Sequence, residues 1–260
     1  MKKTPVALLV ALLAAVVVLV ATQLGGGTVF GGVASPSPSH SSAAPTPAPV
    51  SPSARASLEA AGFAIVDASG QLVVSGSAVE DALADVDTAS RVATGYDREL
   101  FGQRWADVDR NGCDTRNDVL ARDLVGVTFK PGTGDCVVLT GVLHDLYTGT
   151  TIDFQRGERS SQLVQIDHVV PLAWGWRHGG NAWTPEQREH FANDPINLQA
   201  VDGATNSSKS DSGPGDWMPP SAASHCEYAA RFVLVLMAYD LTLDDADRQE
   251  LTSTLGTCGA

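Results

Sequence analysis

Two β-type runs and a short helix-forming stretch within residues 163–210 constrain this chain more than any other part. LVQIDHVV is rich in β-branched residues and is stopped by Pro171. Asn197 to Val201 reads as a second short strand, and Ala204 to Ser210 as a short helix. Between the strands, LAWGWRHGG and PEQREHFAND read as two inserted helices. Thr184 is the N-cap of the second and Pro185 its first residue. A strand–strand–helix unit of this kind brings Asp167, His168, Asn197, Asn206 and Lys209 onto neighbouring elements.

The rest of the chain divides by period. Ala54 to Gly76 holds two short apolar runs around Ser69-Gly70, a hairpin or an irregular extension of the preceding linker. Val79 to Val92 is weakly helical. Tyr96 to Trp105 reads as a short helix packing Leu100, Phe101 and Trp105, and Arg116 to Leu124 as another. VGVTFK, CVVLTGVLHD, TIDFQR and LVQIDHVV are then separated by turn signals, which predicts an antiparallel meander. Ser224 to Tyr239 is a long apolar helix and Asp244 to Leu255 a closing one. Helices, then sheet, then helices give an α+β class.

The chain begins MKKTPVALLVALLAAVVVLVATQ, a basic start followed by an apolar run. That is a signal peptide or a retained signal anchor with the body outside. Ser35 to Ser53 is Ser, Pro and Ala with hardly a charge, so it cannot bury apolar area and reads as a solvated linker. Four cysteines follow in the exported part: Cys113, Cys136, Cys226 and Cys258. An even count outside the cytoplasm favours two disulfides. Of the three pairings, Cys113–Cys136 and Cys226–Cys258 are preferred because each closes a local unit.

The net charge of −13 opposes tight, metal-independent binding to nucleic acid. Much of the acid lies away from the candidate site, in Asp240, Asp244, Asp245, Asp247 and Glu250. Around the site Arg156, Arg159, Arg177, Arg188 and Lys209 bring the charge close to balance.

The five polar residues suit hydrolysis of a phosphodiester, which needs a deprotonated water and charge compensation on the phosphate. His168 is the natural base, because imidazole titrates near neutrality. Asp167 alternates with it along the strand, so the two share a site only where the strand bends or ends, as it does before Pro171. Asn197 orients the imidazole by hydrogen bonding. Asp167 and Asn206 offer one carboxylate and one amide oxygen to a single divalent ion. Such hard oxygen ligands favour Mg²⁺, with Mn²⁺ or Ca²⁺ as alternatives, over Zn²⁺. Lys209 lies three residues beyond Asn206 on the same helix face, where it meets a phosphate.

DH-x-x-P, N-L on a second strand, then a ligand and x-x-K on a helix resembles the ββα-metal pattern of HNH-type nucleases. The last ligand is commonly His and here is Asn206, an H-N-N variant. YDRELFGQRWADVDRNGCDTRNDVLARDL, CVVLTG, DLYTG, IDFQRG, QIDHVVPLAWGW, FANDPINLQAVDGATNSSKSD and DWMPP resemble exported bacterial proteins of the GmrSD restriction-endonuclease C-terminal type. The likeness runs from about Tyr96 to Cys258. It implies a ββα-metal core within a small antiparallel sheet and flanking helices. It also implies His168 as general base, Asn197 as its orienting residue, Asp167 and Asn206 as metal ligands, and Lys209 as phosphate contact. Taken with the leader and linker read from composition, the expected organisation is 1–34 leader or anchor, 35–57 linker, 58–90 a poorly defined extension and 91–260 the HNH-type domain. The partner is nucleic acid, DNA first, with the membrane met only through the leader and the protein a monomer. The location is secreted or anchored to the membrane.

Blander readings compete at several positions. His178 and His190 read as ordinary helix-surface residues, His144 as structural and His225 as a helix start. Trp174, Trp176, Trp183 and Trp217 read as packing rather than base stacking. DVDRNG looks like a calcium loop, but no glutamate closes it, and Cys113 makes a disulfide-pinned turn the better reading. Among the arginines of 98–122, Arg116 is the candidate substrate contact. A catalytically inactive cell-surface binding module is the alternative function. A wall-directed metallohydrolase is disfavoured, because HExxH is absent.

Overall fold

The structure, a computed structural model, describes residues 54–89, 94–157 and 160–259. The leader and most of the linker lie outside the described residues. Helix α1 (Ala54–Ala60) leads into an antiparallel hairpin, β1 (Ala64–Val66) and β2 (Leu72–Val74). The Asp67 carboxylate accepts from the amides of Ser69 and Gln71 at 2.8 and 2.9 Å, which closes the turn. Helix α2 (Gly76–Ala84) ends earlier than the Val79–Val92 pattern suggests. The segment 58–90, set apart in sequence as an ill-defined extension, is described as far as residue 89, and it contributes to these elements and packs inward. Leu58, Phe63, Val74, Val79 and Leu83 join a core built on α7 (His225–Tyr239) and α8 (Asp245–Leu255).

The Tyr96–Trp105 stretch forms only a 3₁₀ turn, Arg98–Phe101, capped by Asp97 and ended by Gly102 at φ 72°. Phe101 is buried whereas Leu100 is exposed. Helix α3 (Thr115–Asp123) starts on Asp114, whose side chain accepts from the Asn117 amide, and it runs straight into β3 (Leu124–Phe129). With β4 (Val138–His144) and β5 (Thr151–Gln155), β3 makes an antiparallel sheet in chain order. The fourth β-type run does not extend this meander. It forms β6 (Val164–His168), which pairs antiparallel with β7 (Leu198–Asp202), His168 opposite Leu198 and Val164 opposite Asp202. The cause is burial: β5 is mostly exposed, whereas β6 is covered along its length and needs protein on both faces.

Between β6 and β7 lie α4 (Leu172–Arg177) and α5 (Pro185–Asn193). The Thr184 cap is a full capping box with Gln187. After β7 comes α6 (Gly203–Lys209), capped by Asp202, which accepts from Thr205 N at 2.7 Å. A Cβ on Gly203 would meet the Gln162 carbonyl oxygen at 2.0 Å, so only glycine lets α6 start this close to the turn before β6. The outer edge of β7 is satisfied by side chains in place of a third strand. Arg122 donates to the Pro195 and Leu198 carbonyls, Arg231 to those of Ile196 and Leu198, and Asp123 accepts from Ala200 N.

A second core lies between α3, the three-stranded sheet and the β6–β7 pair, and includes Val119, Leu120, Phe154, Ile166 and Leu198. The tryptophans of the insertion and Trp217 pack into or against the larger core. His178 departs from its expected surface position: it is buried, its ring stacked on Trp174 with centroids 3.7 Å apart. His178 caps the end of α4 four residues after the buried Trp174, so the two rings fall on the same side of the helix. His190 is exposed and bonds the Tyr239 hydroxyl. The two disulfides are Cys113–Cys136 and Cys226–Cys258. The first ties the loop before α3 to the β3–β4 turn. Among the described residues no helix is long and apolar enough to cross a membrane.

Candidate active site

A cleft of about 770 Å³ opens around the C-terminal end of β6. Asp167, His168 and Asn206 all line it, with Gln165, Trp105 and Arg116. The strand ends at His168, so two side chains that alternate along it reach one space.

The His168 ring is anchored from one side. Its Nε2 lies 2.8 Å from the Ala192 carbonyl oxygen at the end of α5. A carbonyl only accepts, so Nε2 carries the proton and Nδ1 keeps its lone pair. Burial pushes the imidazole down to about 4, and the charges of Arg98 and Lys209 push the same way, against the Ala192 bond and Asp167. The ring is therefore neutral near pH 7. Trp105 covers it, the two rings nearly parallel at 9° with centroids 6.4 Å apart. Trp105 itself sits at φ 60°, a strained backbone for a bulky residue, and it lines the cleft.

Asp167 is held from beneath. Its Oδ2 accepts from the Tyr147 hydroxyl at 2.6 Å and from Lys209 Nζ at 2.7 Å. Lys209 also donates to the His168 carbonyl at 2.7 Å and is 0 % exposed. Burial pushes the Lys209 ammonium down and the Asp167 carboxylate holds it up. Burial likewise keeps the Tyr147 hydroxyl protonated, so it remains a donor. Lys209, expected to meet a phosphate, thus points under the site instead. Its long stem crosses below β6 while Asn206, one turn earlier, stays at the cleft.

Asn206 donates from Nδ2 to Gln165 Oε1 at 2.9 Å, which leaves its Oδ1 as the free atom. Gln165, on the same strand face as Asp167, carries no catalytic signature in the sequence, and only the fold reveals its part. Asn197 does not touch the imidazole. Its Oδ1 accepts from Val170 N at 2.8 Å, its Nδ2 donates to Val170 O at 3.2 Å, and it is 0 % exposed. It pins the turn after His168, because its strand register puts it opposite that turn rather than opposite the ring.

The donor set fits one divalent ion. Asp167 Oδ1 and Asn206 Oδ1 are both left over when the other atom of each group is taken, and both groups line one cleft. Hard oxygens with room for water suit Mg²⁺-class ions. Elsewhere, His178, Asp244 and Asp247 bring ligand atoms within 4.8 Å of one another. Asp247 there already accepts from Trp174 Nε1 and Gly215 N.

The walls are positive although the protein is acidic. Arg98, Arg104, Arg116 and Arg177 line the cleft, and Arg177 is paired with Asp211 at 2.6 Å. Arg116 Nη1 is buried without a hydrogen-bond partner. Burial and the Arg156 charge both press its guanidinium down while Asp114 holds it up, and the group lines the cleft as one of its positive walls.

Residues 114–254 match the family model for the C-terminal domain of GmrSD restriction endonucleases. An "Uncharacterized secreted protein" of Arthroderma benhamiae is 37 % identical over 166 residues, 63 % of this chain and 76 % of that one. No solved structure matches. A strand pair and helix with the expected cleft, over a match of more than half the chain, lead to one assignment: the chain belongs to the family of GmrSD restriction endonuclease C-terminal domains.

Proposed function

We propose that the protein is a divalent-metal-dependent endonuclease that hydrolyses phosphodiester bonds, with DNA as its substrate. The observation that carries this reading is the shared cleft of Asp167, His168 and Asn206. His168 takes the proton of the attacking water at Nδ1, its tautomer fixed by the Ala192 carbonyl. A bound Mg²⁺ or Mn²⁺, held by Asp167 and Asn206, would supply charge compensation on the phosphate and the leaving oxygen. Arg116 and its neighbours hold flanking phosphates. Asn197 keeps the turn after His168 in shape, and Lys209 and Tyr147 position the Asp167 carboxylate.

The family supports a nuclease-related activity, and the two disulfides and the name of the Arthroderma benhamiae relative support an exported site of action. The net charge of −13 favours one competing reading, an inactive surface-binding module on the same fold. Plasmid incubated with the purified protein and Mg²⁺ or Mn²⁺ separates the two. Cleavage by the wild type that is lost in a folded His168→Ala variant is the expected result. Equal cleavage by both proteins overturns the mechanism, and no cleavage by either with any divalent ion leaves the binding module.

A further inference from the structure

We propose that Lys209 and Tyr147 hold Asp167 as a charge-neutralised, one-oxygen ligand, so that the site takes up its cation firmly only together with a phosphodiester. The inference rests on the endonuclease reading above and says how that site is loaded.

Both buried donors converge on the same atom, Oδ2, at 2.6 and 2.7 Å. One oxygen of Asp167 is consumed and Oδ1 alone is left for an ion. Bidentate grip by this carboxylate is therefore closed off. The second consequence is electrostatic. Asp167 and Lys209 form a buried pair whose summed charge is zero. Asn206 and Gln165 are neutral amides that add no charge to the cleft. The cleft walls hold two carboxylates, Asp167 and Asp211, against the guanidiniums of Arg98, Arg104, Arg116 and Arg177. Lys209 adds a further positive charge behind Asp167.

A free dication entering this cleft therefore meets a net positive field and two monodentate oxygens. Cations of this class are held by several carboxylates or by one or two carboxylates plus substrate phosphates. The geometry here fits the second arrangement. A phosphodiester brings the missing oxygens and the missing negative charge, and it offsets the arginines at the same time. Cation and strand then bind with positive coupling, and by thermodynamic reciprocity each tightens the other by the same factor.

The test measures binding, not turnover. Mn²⁺ is titrated into the cleavage-deficient His168→Ala protein and followed by the paramagnetic resonance signal of the free ion, with and without a short DNA duplex. Mn²⁺ affinity is expected to rise at least about tenfold when DNA is present. DNA affinity, read by fluorescence anisotropy, is expected to rise by the same factor when Mn²⁺ is present. Equal Mn²⁺ affinity in the two titrations overturns the proposal. Lys209→Met in the same background exposes the full Asp167 charge, so Mn²⁺ binds the free protein more tightly and the coupling shrinks. An unchanged coupling in a folded Lys209→Met protein removes Lys209 from the account. If that variant does not fold, Tyr147→Phe, which keeps the ring packed on Trp217 and Tyr228, serves instead. It lets the carboxylate turn and weakens Mn²⁺ in the DNA complex several-fold, whereas a merely structural tyrosine lowers Tm and leaves Mn²⁺ binding alone. Wild-type protein that cleaves DNA yet binds Mn²⁺ equally with and without it defeats only the coupling. Wild-type protein that cleaves nothing defeats the function, and it defeats the coupling as well only where Mn²⁺ affinity is also the same with and without DNA.

Discussion

The Trp105 indole lies parallel to the His168 imidazole, 9° between the planes and 6.4 Å between centroids, and both rings line the cleft. Burial is the main reason the imidazole titrates near 4 instead of 6.5. Trp105→Ala admits water to the ring, so the pKa rises toward its ordinary value. The rate of the free enzyme should fall as pH drops through the His168 pKa, since only the neutral ring accepts a proton. The acid limb of kcat/KM is therefore expected to move upward in Trp105→Ala. A limb that stays in place shows that Trp105 does not shield the base.

Lys209→Ala is expected to unfold the protein more readily, by about 3–5 kcal/mol, because it strands the Asp167 carboxylate in a buried site. Thermal or denaturant melting checks this. A surface phosphate contact would behave otherwise: its loss would weaken substrate binding and barely move the midpoint.

Arg116→Ala should act on substrate binding and not on the fold. The Nη1 atom has no partner to lose. KM is expected to rise with little change in kcat, and the slope of log affinity against log salt to fall by about 1. Stability should stay within about 0.5 kcal/mol of the wild type. A large drop in melting temperature would mean that Arg116 serves the fold.

Asp118 gives a pH dependence of stability. Burial and the charges of Asp109, Asp114 and Asp107 raise its carboxyl from 3.8 to about 6, against the hydrogen bond from Asn111. The folded pKa is the higher one, so the native state binds more protons between these values. Stability from this group is present at low pH and is lost as pH rises through about 6. Asp118→Asn keeps an acceptor for Asn111 and removes the charge. Its Tm should exceed that of the wild type at pH 7, and the gap should close near pH 4. A variant less stable at pH 7 would contradict the assignment.

Much of the fold is legible in the sequence because it is written locally. The Thr184 capping box, the glycine and proline punctuation, the apolar period of α7 and the β-branched runs each fix an element by interactions within a few residues. The two local cysteine pairs follow the same logic. Where the fold departs from the local pattern, the cause is tertiary packing. A β-type run does not say which strand it pairs with, so β6 left the meander once burial on both faces was required. The Tyr96–Trp105 pattern keeps only the 3₁₀ turn Arg98–Phe101, because Gly102 at φ 72° ends it and Phe101 and Trp105 pack into different cores.

At the candidate site the sequence by itself determined which residues share a neighbourhood: Asp167, His168 and Asn206, on a strand end and a short helix. Only the tertiary structure decided what each side chain does there. Lys209 passes beneath Asp167, Asn197 grips the backbone of Val170, Ala192 supplies the carbonyl that fixes the imidazole, and Gln165 turns the Asn206 amide. Spacing along a chain sets the face a residue occupies, whereas burial and the nearest unsatisfied polar group set where its donor or acceptor ends up.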